Sequence, residues 1–392
     1  MPEAVIVSAC RTAIGTSMKG TLSETDATTL ARAVVDESIV RTGLAPKEID
    51  DLILSESMAG GGVIARYVAV EAGMESVPGL AQNRHCAAGL AALQTGAASI
   101  MAGMDSAVIA GGVHSFSTSP RSTKRIAGTT DWVDWTSFSH PDSPEAPAFD
   151  MSITVAWNTA QTLGISREEM DAWALGSHQR AIAAIDEGRF AKEIVPIKVT
   201  TSDGSTVVFE VDEHPRRGTS LEKLAALKPI HPEIPDFSIT AGNASGVNDA
   251  ASALVLTSDR FAADHGLAPL ATVRSWASVG VNPYDTGMAP TVAIPKALSR
   301  AGLNVGDVDL WEINEAFAVV PVAACKVLDI DPTLVNISGS GCSLGHPIAA
   351  TGARMATTLI YDLQRRGGGI GVASMCAGGG MGSALVIEVA PG

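Results

Sequence analysis

The chain repeats itself, and a repeat constrains architecture before any single residue does. Arg41-Thr-Gly-Leu-Ala-Pro-Lys-Glu-Ile-Asp50 is echoed by Arg300-Ala-Gly-Leu-Asn-Val-Gly-Asp-Val-Asp309, with Arg, Gly, Leu, an aliphatic residue and Asp coinciding at an offset of 259. Each copy reads as a helix that ends at a glycine, Gly43 or Gly302, turns, and enters an apolar strand, Leu52-Ile-Leu-Ser55 or Leu310-Trp-Glu-Ile313. A second pair, Ser252-Ala-Leu-Val-Leu256 and Ser383-Ala-Leu-Val-Ile387, recurs at an offset of 131. The later member follows Gly371-Val-Ala-Ser-Met375 through a short glycine turn, Cys376 to Gly382. The earlier member is separated from its matching strand, Ala107-Val-Ile-Ala-Gly111, by about 140 residues. The economical reading is a duplicated α/β unit whose first copy carries a long insertion in one hairpin. Chance similarity competes, since helix–Gly–strand transitions are common, but two independent pairs agree. The expected division is residues 1–112 plus 251–270 for the first half, 113–250 for the insertion, and 271–392 for the second half. The insertion opens rich in Ser, Thr and Pro and later holds a helix from Ser166, where Ser166-Arg-Glu-Glu169 forms a capping box.

The repeat carries a chemical expectation. Projected by 259 residues, Cys86 lands one position short of His346, and both open uncharged, small-residue helices: Cys86-Ala-Ala-Gly-Leu-Ala and His346-Pro-Ile-Ala-Ala-Thr. Pseudo-twofold packing brings those helix starts together, so a cysteine and a histidine meet at a buried seam. Helix N–H groups and a facing imidazole favour a thiolate at Cys86, the usual pairing for covalent catalysis. A buried structural cysteine is the bland alternative. His346, followed by a helix-opening Pro347, is placed as a general base, against the alternative of a satisfied core histidine. Cys376 heads Cys376-Ala-Gly-Gly-Gly380, whose glycines allow positive φ and close ligand approach. Their N–H groups could form an oxyanion hole, or the segment is a plain glycine hairpin. Asn314 sits at the C-terminal end of an apolar second-copy strand, where α/β sites collect, and otherwise would cap the next helix. Gly339 to Gly345 lacks dinucleotide-loop spacing, and no Cys or His pair has zinc spacing.

Composition narrows the class. With 46% hydrophobic and 18% charged residues the chain is not intrinsically disordered, and 392 residues suit two or three domains. Aromatics are only 4% while glycine reaches 39 residues, so the interior must be small aliphatic side chains at close backbone approach. A net charge of −15 argues against a nucleic-acid or anionic-membrane binder. Three uncharged stretches, His85 to Met104, Pro332 to Ala353 and Gly367 to Ile387, approach membrane-span length but are broken by glycine and serine. Met1-Pro2-Glu3 runs directly into a strand-like segment, so no secretory signal is expected, and five cysteines are an odd number for a disulfide framework. The expectation is a cytoplasmic protein with reduced thiols and no membrane insertion.

Taken together, these residues resemble the thiolase family, CoA-dependent enzymes that make or break 3-ketoacyl-CoA. The resemblance spans the chain: Ser8-Ala-Cys-Arg-Thr-Ala-Ile-Gly15, the Cys86 segment, Leu227-Lys-Pro229, Ala241-Gly-Asn-Ala-Ser-Gly-Val-Asn-Asp249, Asn314-Glu-Ala-Phe317, Gly345-His-Pro347 and Cys376-Ala-Gly-Gly-Gly-Met-Gly382. It implies an α/β fold, a duplicated αβαβα five-layer core with an inserted loop domain. It implies Cys86 as acyl-accepting nucleophile, His346 as its base, and Cys376 as the acid/base at the α-carbon of acetyl-CoA. Asn314 would hold a water that forms one oxyanion hole with His346, and the N–H groups of Cys86 and Gly378 would form the other. Ser245 matches a serine that contacts the pantetheine arm of CoA, and Arg216 would meet CoA phosphates. The implied reaction is ping-pong cleavage of 3-ketoacyl-CoA to acetyl-CoA and a shortened acyl-CoA, or the reverse condensation. It needs CoA thioesters as substrates, no tightly bound cofactor and no metal. A homodimer or homotetramer is expected. The rivals are a catalytically silent CoA-binding subunit, such as a member of a larger β-oxidation assembly, and a ketoacyl-synthase-type condensing enzyme.

Three places depart from the family pattern. His114 stands where the family often has glutamate. The loop-domain block M-G-x-T-[AS]-E-N-V-A becomes Met151-Ser-Ile-Thr-Val-Ala-Trp-Asn-Thr-Ala160, with Trp157 at the glutamate. Ser338-Gly-Ser-Gly-Cys-Ser-Leu-Gly345 replaces N-G-G-A-I-A-L-G. Acyl-chain preference is therefore the least legible property, with Trp157 and Met288 as candidate lining residues.

Overall fold

A computed structural model describes residues 2–59 and 62–391. Its strand pairings repeat. In the first half Asp51–Ser55 runs parallel to Ala107–His114, which pairs antiparallel with Asn248–Ser258, which pairs antiparallel with Ala4–Thr12. In the second half Leu310–Ile313, Gly369–Ala377, Met381–Val389 and Ala271–Gly280 make the same three pairings in the same order and sense. Even the outer neighbour recurs: Leu80–Gln82 lies parallel to the first of these strands, and a single parallel bridge, Trp311 to Val335, occupies that place in the second half. The halves join edge to edge where Val5 and Ile6 meet Thr272 and Ala271.

Alternating side chains sort these strands into layers. Ile109, Val113 and Val255 point outward beneath the helix Ala27–Thr42, while Val108, Ala110, Leu254 and Leu256 point inward. In the second half Val372, Ala384 and Val386 face the outer helices Ala289–Ala301 and Val319–Leu328, and Ala373, Met375, Leu385 and Ile387 face inward. The inward faces enclose two helices, Ala88–Met101 and Ile348–Arg365. Helix, sheet, paired helices, sheet, helix makes the expected five layers. The repeat's glycines do the work the sequence assigns them: Gly43 and Gly302 end their helices in the left-handed region, at φ 67° and 71°.

The central helices touch because glycine lets them. A Cβ on Gly89 would stand 2.7 Å from the Ala353 nitrogen, and one on Gly352 only 2.3 Å from the Leu90 nitrogen. Both contacts lie near the helix starts, so the N-terminal turns meet, as pseudo-twofold packing predicts. The starts themselves fall two residues later than the sequence suggests, at Ala88 and Ile348, which leaves Cys86 and His346 on the lead-in segments.

The insertion leaves the core after His114 and returns at Asn248. It contains an exposed hairpin, Ser122–Arg125 with Trp132–Trp135, and the helix Arg167–Asp186, which begins at the expected capping box. A buried charge cluster ties it to the first strand: Arg11 donates to Glu193 at 2.6 Å and to Asp212 at 2.7 Å. Buried charges hold only when each has its partner, so this cluster fixes where the insertion must sit. The block that departs from the family pattern is one residue longer than it, and there the helix runs as a π-turn over Ser152–Trp157. A π-turn absorbs an added residue without breaking a helix. Among the described residues, no helix is long and apolar enough to cross a membrane.

Candidate active site

Cys86 is held by a strained turn. His85 adopts φ 46°, which an L residue avoids unless its surroundings compel it, and its N–H is steadied by the Asn83 side chain at 2.7 Å. Cys86 thereby aims at the turn between the last two strands, where the Gly378 N–H lies close enough to its thiol to favour the charged form. Cys376 lies close enough that a charge on Cys86 raises its pKa further. That turn needs its glycines: a Cβ on Gly379, at φ 90°, would strike the Ser139 carbonyl at 2.5 Å, and one on Gly380, at φ 73°, the Val281 carbonyl at 2.3 Å. The insertion presses on the turn, with Ser139 and the Met151 sulfur against Gly378.

His346 comes from the other half. Its backbone N–H donates to the Asn248 side chain at 3.0 Å, its Nδ1 lies 2.7 Å from the Thr351 hydroxyl, and the Asn314 amide nitrogen approaches Nδ1 at 3.5 Å. Nε2 is buried with no partner. Asn314 is fully buried on strand-end backbone, its N–H bonded to the Ser374 carbonyl, and the next helix starts only at Val319, so it is not a helix cap. Its side-chain oxygen is also without a partner. Below it Glu315 accepts from Trp173, Ser177, Asn336 and the Cys342 N–H, a network that fixes the strand end.

The protonation states differ from the thiolate that the sequence suggests. Burial pushes the Cys86 thiol up to about 11, only partly offset by the Gly378 N–H. Burial raises Cys376 further still, with Cys86 adding to it. His346 is pushed down to about 3, by burial first and then by Arg354 and His114. The resting site thus holds two thiols and a neutral imidazole, so Cys86 must lose its proton to a base as it reacts. The helix N-terminus favours a thiolate less than expected because Cys86 precedes the first helical turn and apolar burial dominates.

The remaining candidates lie apart from the thiols. Ser245 is half-buried and its N–H bonds the Ala316 carbonyl. Arg216 is exposed and makes no ion pair among the described residues, whereas neighbouring Arg217 is bound to Asp186. Trp157 packs at a tilt against Phe237, ring centroids 5.0 Å apart, and, like Met288, is partly buried against the second-half core. Sequence reasoning missed Met151 as the insertion residue at Gly378, and missed Thr351, whose helical spacing from Pro347 was the available signal. His114 is buried and neutral, lowered to about 4 by burial, with an unpartnered Nε2. No cluster of His, Cys, Asp and Glu suited to a metal occurs among the described residues.

Comparison with known proteins decides the family. The thiolase N-terminal domain matches residues 4–260 and the thiolase C-terminal domain residues 267–389. The chain belongs to the thiolase family. It is 40% identical to the acetyl-CoA acetyltransferase of Pseudomonas aeruginosa over 403 residues, covering 99% of each chain, and 40% identical to that of Escherichia coli K12 over 398 residues, again covering 99% of each. The crystal structure of the Bacillus anthracis acetyl-CoA acetyltransferase superimposes with a TM-score of 0.92 at 40% identity, covering 99% of both chains. Human mitochondrial 3-ketoacyl-CoA thiolase superimposes with a TM-score of 0.90 at 34% identity, also covering 99% of both. This thiolase is an enzyme of CoA-dependent acyl transfer, and the silent-subunit and ketoacyl-synthase readings are not favoured.

Proposed function

We propose that this thiolase cleaves a 3-ketoacyl-CoA, or condenses two acyl-CoA units, through an acyl-enzyme on Cys86. The observation that carries the reading is the Gly378 N–H lying close enough to the Cys86 thiol to lower its pKa, with Cys376 beside it and an unpartnered, neutral His346 Nε2 on the segment leading into the second central helix. His346 removes the Cys86 proton as the sulfur attacks the thioester carbonyl, and CoA departs as a thiol. Cys376 gives its thiol proton to the departing CoA sulfur, and in the second half-reaction the resulting Cys376 thiolate takes the α-proton of acetyl-CoA, whose enolate attacks the Cys86 acyl group. Two developing oxyanions then need donors. The N–H groups of Cys86 and Gly378 serve one, and His346 with a water on Asn314 serves the other. Loss of one such donor costs about 3–4 kcal/mol in the barrier.

Arg216, exposed and without an ion pair among the described residues, suits the CoA phosphates, and Ser245 suits the pantetheine arm. CoA thioesters are the only cofactor-like molecules this scheme needs. We divide the chain as 1–112 plus 251–270, 113–250, and 271–392, the insertion supplying the acyl-pocket wall through Met151. All five cysteines are free thiols, which supports a reducing, cytoplasmic setting. The short outer strand Leu80–Gln82, with Leu80 exposed, and the exposed Trp132 and Trp135 support a homodimer or homotetramer. Gel filtration at the monomer mass contradicts it. The activity test is thiolysis of 3-ketoacyl-CoAs from acetoacetyl upward with free CoA. Turnover peaking at one chain length is expected. A folded protein that binds CoA yet cleaves none of them contradicts the reading.

A further inference from the structure

The mechanism needs His346 Nε2 to carry a lone pair at rest, and nothing in the catalytic scheme says what secures it. Thr351 lies five residues beyond His346, fully buried in the first turn of Ile348–Arg365. Its Oγ1 stands 2.7 Å from His346 Nδ1 and 3.0 Å from the Pro347 carbonyl oxygen. A hydroxyl has one proton to give and lone pairs to accept with, whereas a carbonyl only accepts. The proton therefore goes to Pro347, the ordinary back-bond of a helical threonine to the carbonyl four residues earlier. Toward the ring, Oγ1 presents a lone pair. We propose that Thr351 is a positioning residue that holds His346 in the Nδ1–H tautomer, leaving Nε2 as the free base.

The opposite arrangement is worse on two counts. If Thr351 donated to Nδ1, the ring proton would sit on Nε2, a buried donor with no partner, and an orphaned donor is costly. The Pro347 carbonyl would also lose its side-chain donor. The 3.5 Å approach of the Asn314 amide nitrogen is at the limit of hydrogen bonding and does not compete with a 2.7 Å contact.

No charged group does this task instead. Arg354, on the same helix, is paired with Glu312. His114 faces the site from the first-half strand as a neutral ring. Asp249 is occupied by the Phe116 N–H and the Ser117 N–H and hydroxyl. Asn248 accepts the His346 backbone N–H rather than a ring nitrogen. Cys86 and Cys376 are thiols at rest. The partner of Nδ1 is thus a neutral hydroxyl, which sets the tautomer while leaving the imidazole neutral for its role.

The inference rests on His346 being the base, and the test separates the two. Single-turnover acetylation of Cys86 by acetyl-CoA and steady-state thiolysis are measured in Thr351→Val, Thr351→Ser and His346→Asn. Valine keeps the shape and removes the acceptor. Thr351→Val should lower kcat by about 10–100-fold with KM within about twofold, while Thr351→Ser stays within about threefold of the parent. Thr351→Val at the parental rate, or Thr351→Ser as slow as Thr351→Val, overturns the positioning role. His346→Asn that still acetylates Cys86 at the parental rate overturns the base itself. Should Thr351→Val fail to fold, nitrogen-15 shifts of His346 in the unaltered enzyme decide. Nδ1 protonated at neutral pH supports the inference, and Nε2 protonated contradicts it.

Discussion

The two halves close the same hairpin in opposite ways. In the second half Gly369–Ala377 and Met381–Val389 are joined by three glycines. In the first half the equivalent strands end at His114 and resume at Asn248, with residues 115–247 between them. The sheet keeps the same pairings in both. Chain-closure entropy rises only slowly with loop length, so a long excursion is tolerated once its ends are paired and its body is anchored. Arg11, Glu193 and Asp212 supply that anchor. The difference also divides labour. The short turn is rigid enough to aim an N–H and a thiol at Cys86, and the long excursion supplies the wall that leans on that turn. A duplicated scaffold thus yields an asymmetric site.

Removing the Cys86 thiol should break this asymmetry most severely. Cys86→Ala is expected to lower thiolysis by more than about 1,000-fold while CoA binding, read by calorimetry, persists. Retained turnover would remove Cys86 as nucleophile.

A pair of glycine substitutions sharpens the contrast between core and excursion. Gly352→Ala forces a Cβ to 2.3 Å from the Leu90 backbone nitrogen, where neither helix can yield easily. It should cost about 3 kcal/mol, seen as a lower thermal midpoint. Gly218→Ala, in the insertion, meets only the tip of Lys223 at 3.5 Å and should stay within about 0.5 kcal/mol. Equal effects would mean the central helices are not tightly apposed.

Acid tests the seam more gently. His346 and His114 are held neutral, lowered to about 3 and about 4 from an unfolded value near 6.5. Between those values the unfolded chain binds more protons, so stability falls as pH drops below about 6.5. Replacing His114 with Gln should flatten that fall. An unchanged slope would place its titration elsewhere.

Much of this was legible in the sequence because the repeat encodes topology. Gly43 and Gly302 marked equivalent helix ends, and the small-residue runs after Cys86 and His346 announced that the two central helices pack together near their starts. The protonation states were not legible. A helix start and a facing histidine suggest a thiolate, yet the pKa follows from how much apolar packing surrounds the sulfur, which depends on contacts between distant segments. The contact between the insertion and the glycine turn was hidden for the same reason: Met151 opens the block that departs from the family pattern, and nothing in its sequence context says that its sulfur meets Gly378. His114 was visible as a departure, but its burial beside His346 was not.

The central claim is that each half delivers one part of a divided reaction: the Cys86 half receives the acyl group, and the Cys376 turn handles the α-proton. The most direct measurement is peptide mass spectrometry after acetyl-CoA is mixed with the unaltered enzyme and with Cys376→Ser, alongside assay of acetoacetyl-CoA formation. The account predicts an acetyl adduct on the Cys86 peptide in both proteins, no adduct on the peptides bearing Cys10, Cys325, Cys342 or Cys376, and carbon–carbon bond formation only in the unaltered enzyme. Equal loss of acetylation and condensation in Cys376→Ser, or an adduct on any cysteine other than Cys86, would contradict it.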